Sequence, residues 1–354
     1  MFKKARKSIL DDIDINERIL EIGPLANPLI EDFPNHHYLD IKDTEEVMLR
    51  YKDDSNVDKE KIVPIDFVLK NSYEETFKGI EKFDSVVSSH VFEHLPNPIF
   101  FFQDISKILK DNGKLIMLVP DRRFCFDYYR ENSSFADMYL VYEEGIPYTK
   151  HLIFNHISRT CSEINSKVFW EADSLLKIAQ FPDKEVFKTY DVFKENLNSF
   201  DGHFWSLTDL SFLKIIYDMA RFNLIPLKIK KFFPTAKFTN EFGVIFEKNE
   251  KLTYDNDEKT KYLEELFDLM QDVFKFHEDI KNEKFIKQMD KKDLIINKQL
   301  KKIDRLSKSN LKKKKKINKL LKSNLKNEKI VNKMLKSNSW KITSPLRKIK
   351  KLIK

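Results

Sequence analysis

Residues 18–29 read RILEIGPLANPL, an apolar run that ends at Gly23 and opens into a loop. The run is short and rich in isoleucine and leucine, so it predicts a buried β-strand. A nucleotide-type cofactor needs close backbone approach at the carboxyl end of such a strand, and glycine permits it because it has no Cβ. Gly23 is the only glycine of the loop, so the general GxGxxG pattern is absent. The segment therefore needs support from the strands that follow it.

Further strand-like runs and one intervening helix follow the first strand. The runs lie at 37–41, 62–67, 83–90 and 114–120, the last introduced by an Asp-Asn-Gly turn at 111–113, and a helical pattern occupies 97–110. Strands that alternate with helices predict an α/β fold with a parallel sheet. The strands are nearly continuous in apolar residues, which is typical of a sheet covered on both faces.

The pattern is interrupted by an aromatic-rich insertion at 122–205 that has no clear periodicity. After it come a helix at 208–221 and two apolar runs, 224–233 and 238–247, joined by a Pro-Thr-Ala turn. The two runs predict an antiparallel hairpin that closes the sheet. We expect one domain over residues 1–250, with the insertion as a lid over its substrate.

Acidic and polar residues mark the carboxyl ends of the predicted strands. Asp40 ends the second strand, 17 residues after Gly23, about where an acid binds ribose hydroxyls in dinucleotide sites. Asp66 and Phe67 end the third strand, and a Ser-His pair ends the fourth. Open α/β sheets bind ligands at this edge. Each residue alone is compatible with an ordinary turn, but their common position favours a cofactor site.

The collinear segments EIGPLANPL, YLDI, IDF, FDSVVSSHVFEHLPNP, LKDNGKLIMLVPDRRFCFD and DGHFWSLTDLSF resemble a class I S-adenosylmethionine (SAM)-dependent methyltransferase over about residues 15–247. They are most similar to a subgroup of bacterial cell-surface polysaccharide enzymes with an EIGPLxxPL loop. The resemblance implies a Rossmann-like, seven-stranded sheet and SAM as cofactor. It also implies cofactor contacts, with Glu21 and Gly23 at the methionine, Asp40 at the ribose, Asp66 and Phe67 at the adenine, and Pro24, Ile41, Ser89 and His90 completing the site.

Methyl transfer requires an acceptor held in line with the methyl carbon and usually a base for the hydroxyl proton. We predict His203 with Asp201 for this task, because both lie where the insertion ends, and Asp121 after the fifth strand is a further candidate. His203 as a packing residue is the alternative. His90 and His94 are other candidates for the base, although His94 fits better as a residue that orders a turn.

Two more groups of side chains in the insertion suggest an acceptor. Its arginines, Arg122, Arg123 and Arg130, suit an acidic sugar or a phosphate. Its aromatic residues suit stacking on sugar rings or, equally, the core of a lid. No cluster of histidine, cysteine and acidic residues has the spacing of a zinc site, so the sequence predicts no metal.

Charge divides the chain in two. Residues 291–354 contain 24 lysines and arginines and three acids, a net charge of +21, which leaves −13 for the preceding residues out of a total of +8. A front part without basic excess is unsuited to nucleic acid, since phosphate binding needs lysines and arginines. The basic part is expected to attract an anionic partner.

The segment 257–338 is polar and free of glycine and proline, and KSN recurs at 308, 322 and 336. This period of 14 is two heptads and predicts a coiled coil. Its a positions are Ile303, Ile317 and Val331, alternating with Asn310, Asn324 and Asn338, and its d positions are Leu306, Leu320 and Met334. Asparagine at a favours a parallel homodimer. A single lysine-rich helix is the alternative.

The last residues, 339–354, alternate apolar and basic side chains after Trp340. An amphipathic basic segment of this kind can lie on an anionic membrane surface. Nucleic acid is a less favoured partner, because no RNA- or DNA-binding motif accompanies the lysines. The segment SNSWKITSPLRKIKK also resembles an ending that follows coiled coils in bacterial surface-glycan transferases, which implies a glycan or lipid-linked sugar acceptor.

The sequence thus predicts O-methylation of a sugar during surface-polysaccharide assembly. Two cysteines, no apolar leader and no long apolar run lead us to expect a cytoplasmic protein, peripheral at the inner face of the membrane. One alternative keeps the enzyme but gives it a small-molecule or lipid acceptor. Another is a non-catalytic scaffold for glycosyltransferases, which the single-glycine loop leaves open.

Overall fold

The computed structural model describes residues 9–31, 33–55, 57–145, 150–172, 175–195 and 200–337, apart from the side chains of 284–294, 297 and 304. The chain divides into two units, Met1–Glu278 and Asp279–Lys354. The first unit contains the sheet, the insertion and the candidate site.

A seven-stranded sheet of order β3-β2-β1-β4-β5-β7-β6 forms the centre of the first unit. Its strands are β1 Ile19–Ile22, β2 His36–Asp40, β3 Phe67–Val68, β4 Phe83–Ser89, β5 Leu109–Pro120, β6 Leu227–Phe233 and β7 Glu241–Lys248. Strands β1 to β5 pair in parallel, whereas β7 is antiparallel to both β5 and β6. The predicted α/β sheet with a closing antiparallel hairpin is confirmed, and its topology is that of a Rossmann-like methyltransferase.

Two strands differ from their predicted bounds. Strand β3 is only two residues long, because Pro64 has no N–H to offer a sheet and a 3₁₀ turn at Lys59–Lys61 occupies the approach. Strand β5 begins at Leu109 and passes through the predicted turn at 111–113. The register shifts between Phe83 and Ser85, so the extra residues of β5 form a bulge within the strand.

Helices cover both faces of the sheet. In chain order they are α1 Thr44–Arg50, α2 Tyr73–Thr76, α3 Pro98–Ile108, α4 Phe135–Glu144, α5 Lys150–Arg159, α6 Ser166–Glu171, α7 Asp183–Phe193, α8 Asp209–Arg221 and α9 Asn256–Lys336. Helices α3 and α8 agree with their predicted positions. Each begins at a capping side chain, since Asn97 accepts a hydrogen bond from the Phe100 N–H and Thr208 accepts one from the Ser211 N–H.

The insertion forms short helices, α4 to α7, rather than an irregular lid. Each helix is at most 11 residues long, which is too short to produce a clear period in the sequence. Their apolar faces pack into the main core through residues such as Met138, Ile153 and Val186. The insertion is therefore part of the first unit's core.

The first unit continues beyond the predicted boundary at residue 250. The beginning of α9 packs against the sheet, where Tyr262, Leu266 and Val273 are buried. The Tyr262 hydroxyl accepts a hydrogen bond from the Ile229 N–H at 2.9 Å, which attaches the helix to β6. This packing explains why the compact unit ends at Glu278.

The second unit consists, in its described part, of the remainder of α9. The side chains assigned to the predicted a and d positions are all exposed, from 52% to 61%: Ile303, Leu306, Ile317, Leu320, Val331 and Met334. The predicted amphipathic segment 339–354 and Asn338 lie outside the described residues. Among the helices that the structure describes, none has the length and apolar character needed to cross a bilayer.

Candidate active site

A cavity of about 410 Å³ opens at the carboxyl edge of β1, β2 and β4. Four parts of the chain line it: the loop after β1, the end of β2, the turn after β4 and the end of the insertion. The principal lining residues are Gly23, Leu25, Asp40, Ile41, His90, Val91, His94, Phe200, Asp201 and Phe204. The structure thus brings together five of the predicted site residues, Gly23, Asp40, Ile41, His90 and Asp201.

Gly23 allows two strands to approach each other closely at the cavity. Its φ is +65°, and a Cβ at this position would lie 2.9 Å from Cγ2 of Val91. Its N–H donates to the carbonyl of Leu39 at 2.9 Å, which continues the β1–β2 pairing into the loop. Both the backbone conformation and the available space therefore require glycine.

Asp40 ends β2 and contributes a carboxylate to the cavity. Its Oδ1 accepts a hydrogen bond from the Ile41 N–H at 2.7 Å. Burial raises the pKa of Asp40, and the bonds from neighbouring N–H groups act against this rise. Such a carboxylate can accept hydrogen bonds from two vicinal hydroxyls, as on a ribose ring.

Glu21 lies behind the cavity rather than in it. It is 1% exposed, and its carboxylate accepts hydrogen bonds from the N–H groups of Leu29 (2.6 Å) and Ile30 (3.2 Å). These bonds fix the loop that follows Gly23. Pro24 is buried and is also absent from the lining of the cavity. Contact of either residue with the cofactor stays a prediction.

The other predicted cofactor residues, Asp66, Phe67 and Ser89, do not line the cavity. Asp66 accepts a hydrogen bond from the Tyr38 N–H at 2.8 Å. Phe67 packs edge-to-face on Phe77, with 5.0 Å between the ring centroids. The apolar wall near the end of β3 is formed by other side chains, among them Ile41 and Leu69.

His203 pairs with Asp127 and not with the predicted Asp201. Its Nδ1 lies 2.5 Å from Oδ2 of Asp127, and both residues are buried. Arg130, 1% exposed, donates to the other oxygen of Asp127 at 2.9 Å and to the Phe204 carbonyl. Burial alone would raise the pKa of Asp127, but His203 and Arg130 hold it well below its usual range.

Asp201 pairs instead with His94, whose Nδ1 lies 3.3 Å from Oδ1. Arg50 forms an ion pair with Asp201 at 2.6 Å, and the Tyr51 hydroxyl donates to it at 3.4 Å. The hydrogen bond with His94 is the main reason that the pKa of Asp201 is lowered to about 2. The cavity is therefore lined by a His94–Asp201 pair.

Glu93 is the residue at which these histidines converge, and sequence reasoning missed it. It lies in the Phe92–His94 turn and is completely buried. Within the described part of the chain, neither carboxylate oxygen has a hydrogen-bond partner. Its Oε1 lies 3.6 Å from Nε2 of His203, 3.9 Å from Nε2 of His94 and 3.7 Å from Nδ1 of His90.

The structure thereby assembles a cluster that the sequence gave no reason to expect. Glu93, His94 and His203 each offer one metal-ligating atom, and these atoms all lie within 4.8 Å of one another. The expectation of no metal site rested on local spacing, which is blind to a ligand contributed by the distant insertion. A cue existed in DYYR, where Asp127 and Arg130 are spaced to pair on one turn, because buried charges need partners.

Asp121 belongs to a separate buried network and does not line the cavity. Its Oδ1 accepts from Nε of Arg123 at 2.9 Å, and its Oδ2 accepts from the Thr235 hydroxyl at 2.7 Å. Arg123 also pairs with Asp209 at 2.8 Å, and Asp209 lies 2.7 Å from Nε2 of His277 on α9. This network joins the sheet to α8 and α9.

Most arginines and aromatic residues of the insertion are committed to packing. Arg122 donates to Asn132 at 2.6 Å, and, as described, Arg123 and Arg130 form buried ion pairs. Phe124 stacks on Trp170 with 3.9 Å between ring centroids. Of the aromatic residues proposed to stack on sugars, only Phe204 lines the cavity that the described residues form. The lid-core interpretation fits them better.

Residues 9–162 match the model of a family described as a methyltransferase domain. Structures of low identity are similar to the chain, all titled as S-adenosylmethionine-dependent methyltransferases. One from Clostridium acetobutylicum is 12% identical (TM-score 0.36, covering 70% of this chain and 92% of that one). Others come from Methanosarcina mazei (13%, TM-score 0.33, 68% and 97%) and Mesorhizobium loti (10%, TM-score 0.34, 69% and 96%). No curated protein matches the chain.

The chain therefore carries a methyltransferase domain over residues 9–162, and it is an enzyme of the SAM-dependent methyltransferase class. Its cofactor is S-adenosylmethionine. The residues at the cavity fit this molecule, because Gly23 leaves the room that a side chain would fill and Asp40 presents a carboxylate for ribose hydroxyls.

Proposed function

We propose that this enzyme methylates a hydroxyl group of a sugar during the assembly of a surface glycan. The observation that carries the proposal is the meeting, in one cavity, of the cofactor residues Gly23 and Asp40 with the His94–Asp201 pair. A cofactor held by the first two residues would have a proton-accepting group beside it. Methyl transfer to oxygen needs that combination.

Bound S-adenosylmethionine supplies an electrophilic methyl group: the acceptor oxygen bonds to the methyl carbon, the C–S electron pair stays on sulfur, and the hydroxyl proton must leave. The protein's task is to orient the acceptor and take up this proton. Asp201 and Asp127 each hold Nδ1 of a histidine, which turns Nε2 of His94 and of His203 towards Glu93. A histidine fixed in this way is suited to accept a proton.

A sugar acceptor is supported by the resemblance of both ends of the chain to surface-glycan enzymes. The need for a carboxylate-backed histidine agrees with it, since a sugar hydroxyl is a poor nucleophile. The aromatic side chains of the insertion give little support, because most of them are buried against each other.

An acceptor with a lipid portion is the second candidate. A further cavity of about 490 Å³ lies between α5 and α7, and Phe200 lines both it and the cofactor cavity. Its walls include Ile157, Val186, Val192 and Phe193. A mainly apolar cavity beside the reaction site is typical of a site that binds an apolar group. A lipid-linked sugar would combine the two candidates.

The tail is proposed to form a parallel homodimer and to bring the enzyme to the inner membrane face. The exposed a and d side chains of α9 support dimerisation, because one chain leaves this apolar stripe open to water. The 24 basic residues from residue 291 onwards support attraction to anionic lipid. A catalytically inactive scaffold would have the same tail, so only the reaction itself separates the two.

A direct test incubates the full-length chain with methyl-labelled S-adenosylmethionine and three acceptor fractions: lipid-linked glycans, free oligosaccharides and glycan-free lipids. The proposal expects label in lipid-linked glycans, and mild acid release should leave it on the sugar. Label only in glycan-free lipids would establish the lipid alternative. No label with any acceptor, together with intact cofactor binding, would contradict the sugar proposal and favour the scaffold.

A further inference from the structure

We propose that Glu93, His94 and His203 bind a divalent transition-metal ion of the zinc type at the floor of the cofactor cavity. The inference deepens the proposed function, because it assigns a ligand to the same site. It rests on three features of the described residues: an unpartnered buried carboxylate, the orientation of three histidines and the local balance of charge.

The first feature is Glu93 itself. A completely buried carboxylate normally accepts several hydrogen bonds, because removal of its charge from water is costly. Here both oxygens lack a hydrogen-bond partner among the described residues, although the Glu93 carbonyl accepts from the N–H groups of Phe204 and Trp205. The backbone of the turn is satisfied and its carboxylate is not, which indicates a missing positively charged ligand.

The second feature is the orientation of the histidines around that carboxylate. Each has one ring nitrogen against another acid: Nδ1 of His203 faces Asp127, Nδ1 of His94 faces Asp201, and Nε2 of His90 faces Glu241. The opposite nitrogen of each ring faces Glu93 at 3.6–3.9 Å. Metal-ligating histidines almost always have a carboxylate or carbonyl on the second nitrogen, which fixes the tautomer that leaves the first free to bind.

The third feature is charge. Asp127 pairs with Arg130 and Asp201 with Arg50, so two of the acids around the cluster have cationic partners. Glu93 faces histidines, which bring no positive charge when neutral. A divalent cation between them would compensate the carboxylate and bind the neutral imidazoles at once.

The distances leave room for an ion. Four-coordinate zinc with bonds of about 2.0–2.1 Å separates its ligand atoms by about 3.3 Å. Oε1 of Glu93 is 3.6 Å from Nε2 of His203 and 3.9 Å from Nε2 of His94. Small side-chain rotations therefore complete the coordination. His94 lines the cavity, so an open coordination position there would face the acceptor.

Two imidazoles and one carboxylate favour zinc, iron, cobalt or nickel over magnesium, which prefers oxygen ligands. A metal ion of this type lowers the pKa of a bound hydroxyl and so makes oxygen a better nucleophile. The ion would in that way explain how a weakly acidic sugar hydroxyl reacts.

The test titrates Co²⁺ and Zn²⁺ into the untagged full-length chain after removal of metals with a chelator. We expect one equivalent to bind, with Co²⁺ absorption bands of a four- or five-coordinate site and little response to Mg²⁺. His94→Gln and Glu93→Gln should weaken Co²⁺ binding at least tenfold, and Asp127→Asn, behind His203, by about 10–100-fold. Exposed His151 is the matched control, and His151→Gln should bind like the wild type.

Circular dichroism verifies folding, and His94→Gln keeps the test decisive if the buried Glu93→Gln variant unfolds. Folded wild-type protein that binds no Co²⁺, or unchanged Co²⁺ binding in folded His94→Gln, would overturn the metal proposal. Separate titration with S-adenosylhomocysteine distinguishes the two proposals. Cofactor binding without Co²⁺ binding refutes the metal alone, whereas Co²⁺ binding without cofactor binding refutes the proposed methyl transfer.

Discussion

Replacement of Gly23 by alanine separates the two reasons why this position needs glycine. Alanine at a φ of +65° costs about 1–2 kcal/mol from backbone strain. The new methyl group would also lie 2.9 Å from Cγ2 of Val91, so the wall of the cofactor cavity has to shift. Gly79 is the matched control, because its φ is +80° and an added Cβ meets no atom within 4 Å.

We expect Gly23→Ala and Gly79→Ala to lose similar stability in urea unfolding, while only Gly23→Ala loses affinity for S-adenosylhomocysteine in calorimetry. The loss should be at least tenfold, or about 1.4 kcal/mol. Addition of Val91→Ala removes the clashing atom and should restore part of the affinity. Equal affinities of Gly23→Ala and Gly79→Ala would refute the assignment of the cavity to the cofactor.

Three further predictions concern packing, pH and assembly. Arg130→Met leaves Asp127 buried without its cation and should destabilise the fold by about 3–5 kcal/mol in urea unfolding, whereas Arg159→Met on the exposed face of α5 should change it little. Burial would raise the pKa of Asp209, but His277 and Arg123 lower it overall. Its stabilising effect is therefore full above the ordinary aspartate pKa of about 3.9 and is lost as pH falls through the lower folded value. Acid unfolding followed by circular dichroism should consequently be steeper in the wild type than in Asp209→Asn, and equal profiles would contradict this. Ile317→Asp, at an a position, should convert the dimer to a monomer in sedimentation equilibrium, while Lys322→Asp, on the outer face of the heptad, should not. A wild-type monomer would contradict the coiled coil.

The fold was largely predictable because its signals are local. Apolar runs that end in glycine or aspartate indicated the parallel strands, and capping residues such as Asn97 indicated where helices begin. Strand β3 was overestimated because an apolar run cannot show that Pro64 interrupts its pairing. The bulge in β5 was mistaken for a turn, since Asn-Gly has the same preference for unusual backbone angles in both.

The cofactor edge of the site was predictable for the same reason, since Gly23 and Asp40 lie at strand ends whose positions follow from topology. The reaction edge was not. Its geometry depends on the long-range contact of the Phe204 N–H with the Glu93 carbonyl, which joins the end of the insertion to the turn after β4. This contact places His203 beside Asp127 and Glu93 rather than beside its sequence neighbour Asp201.

The most direct test of the central claim is calorimetric titration of the full-length chain with S-adenosylmethionine and S-adenosylhomocysteine, using Asp40→Ala and Asp66→Ala as paired variants. Asp40 lines the cavity, whereas Asp66 accepts a hydrogen bond from the Tyr38 N–H outside it. Hydrogen bonds to a charged group contribute about 1.5–3 kcal/mol, so the account predicts one-to-one binding that Asp40→Ala weakens at least tenfold and Asp66→Ala leaves unchanged. Absence of binding to the wild type, or equal affinity in Asp40→Ala, would contradict it.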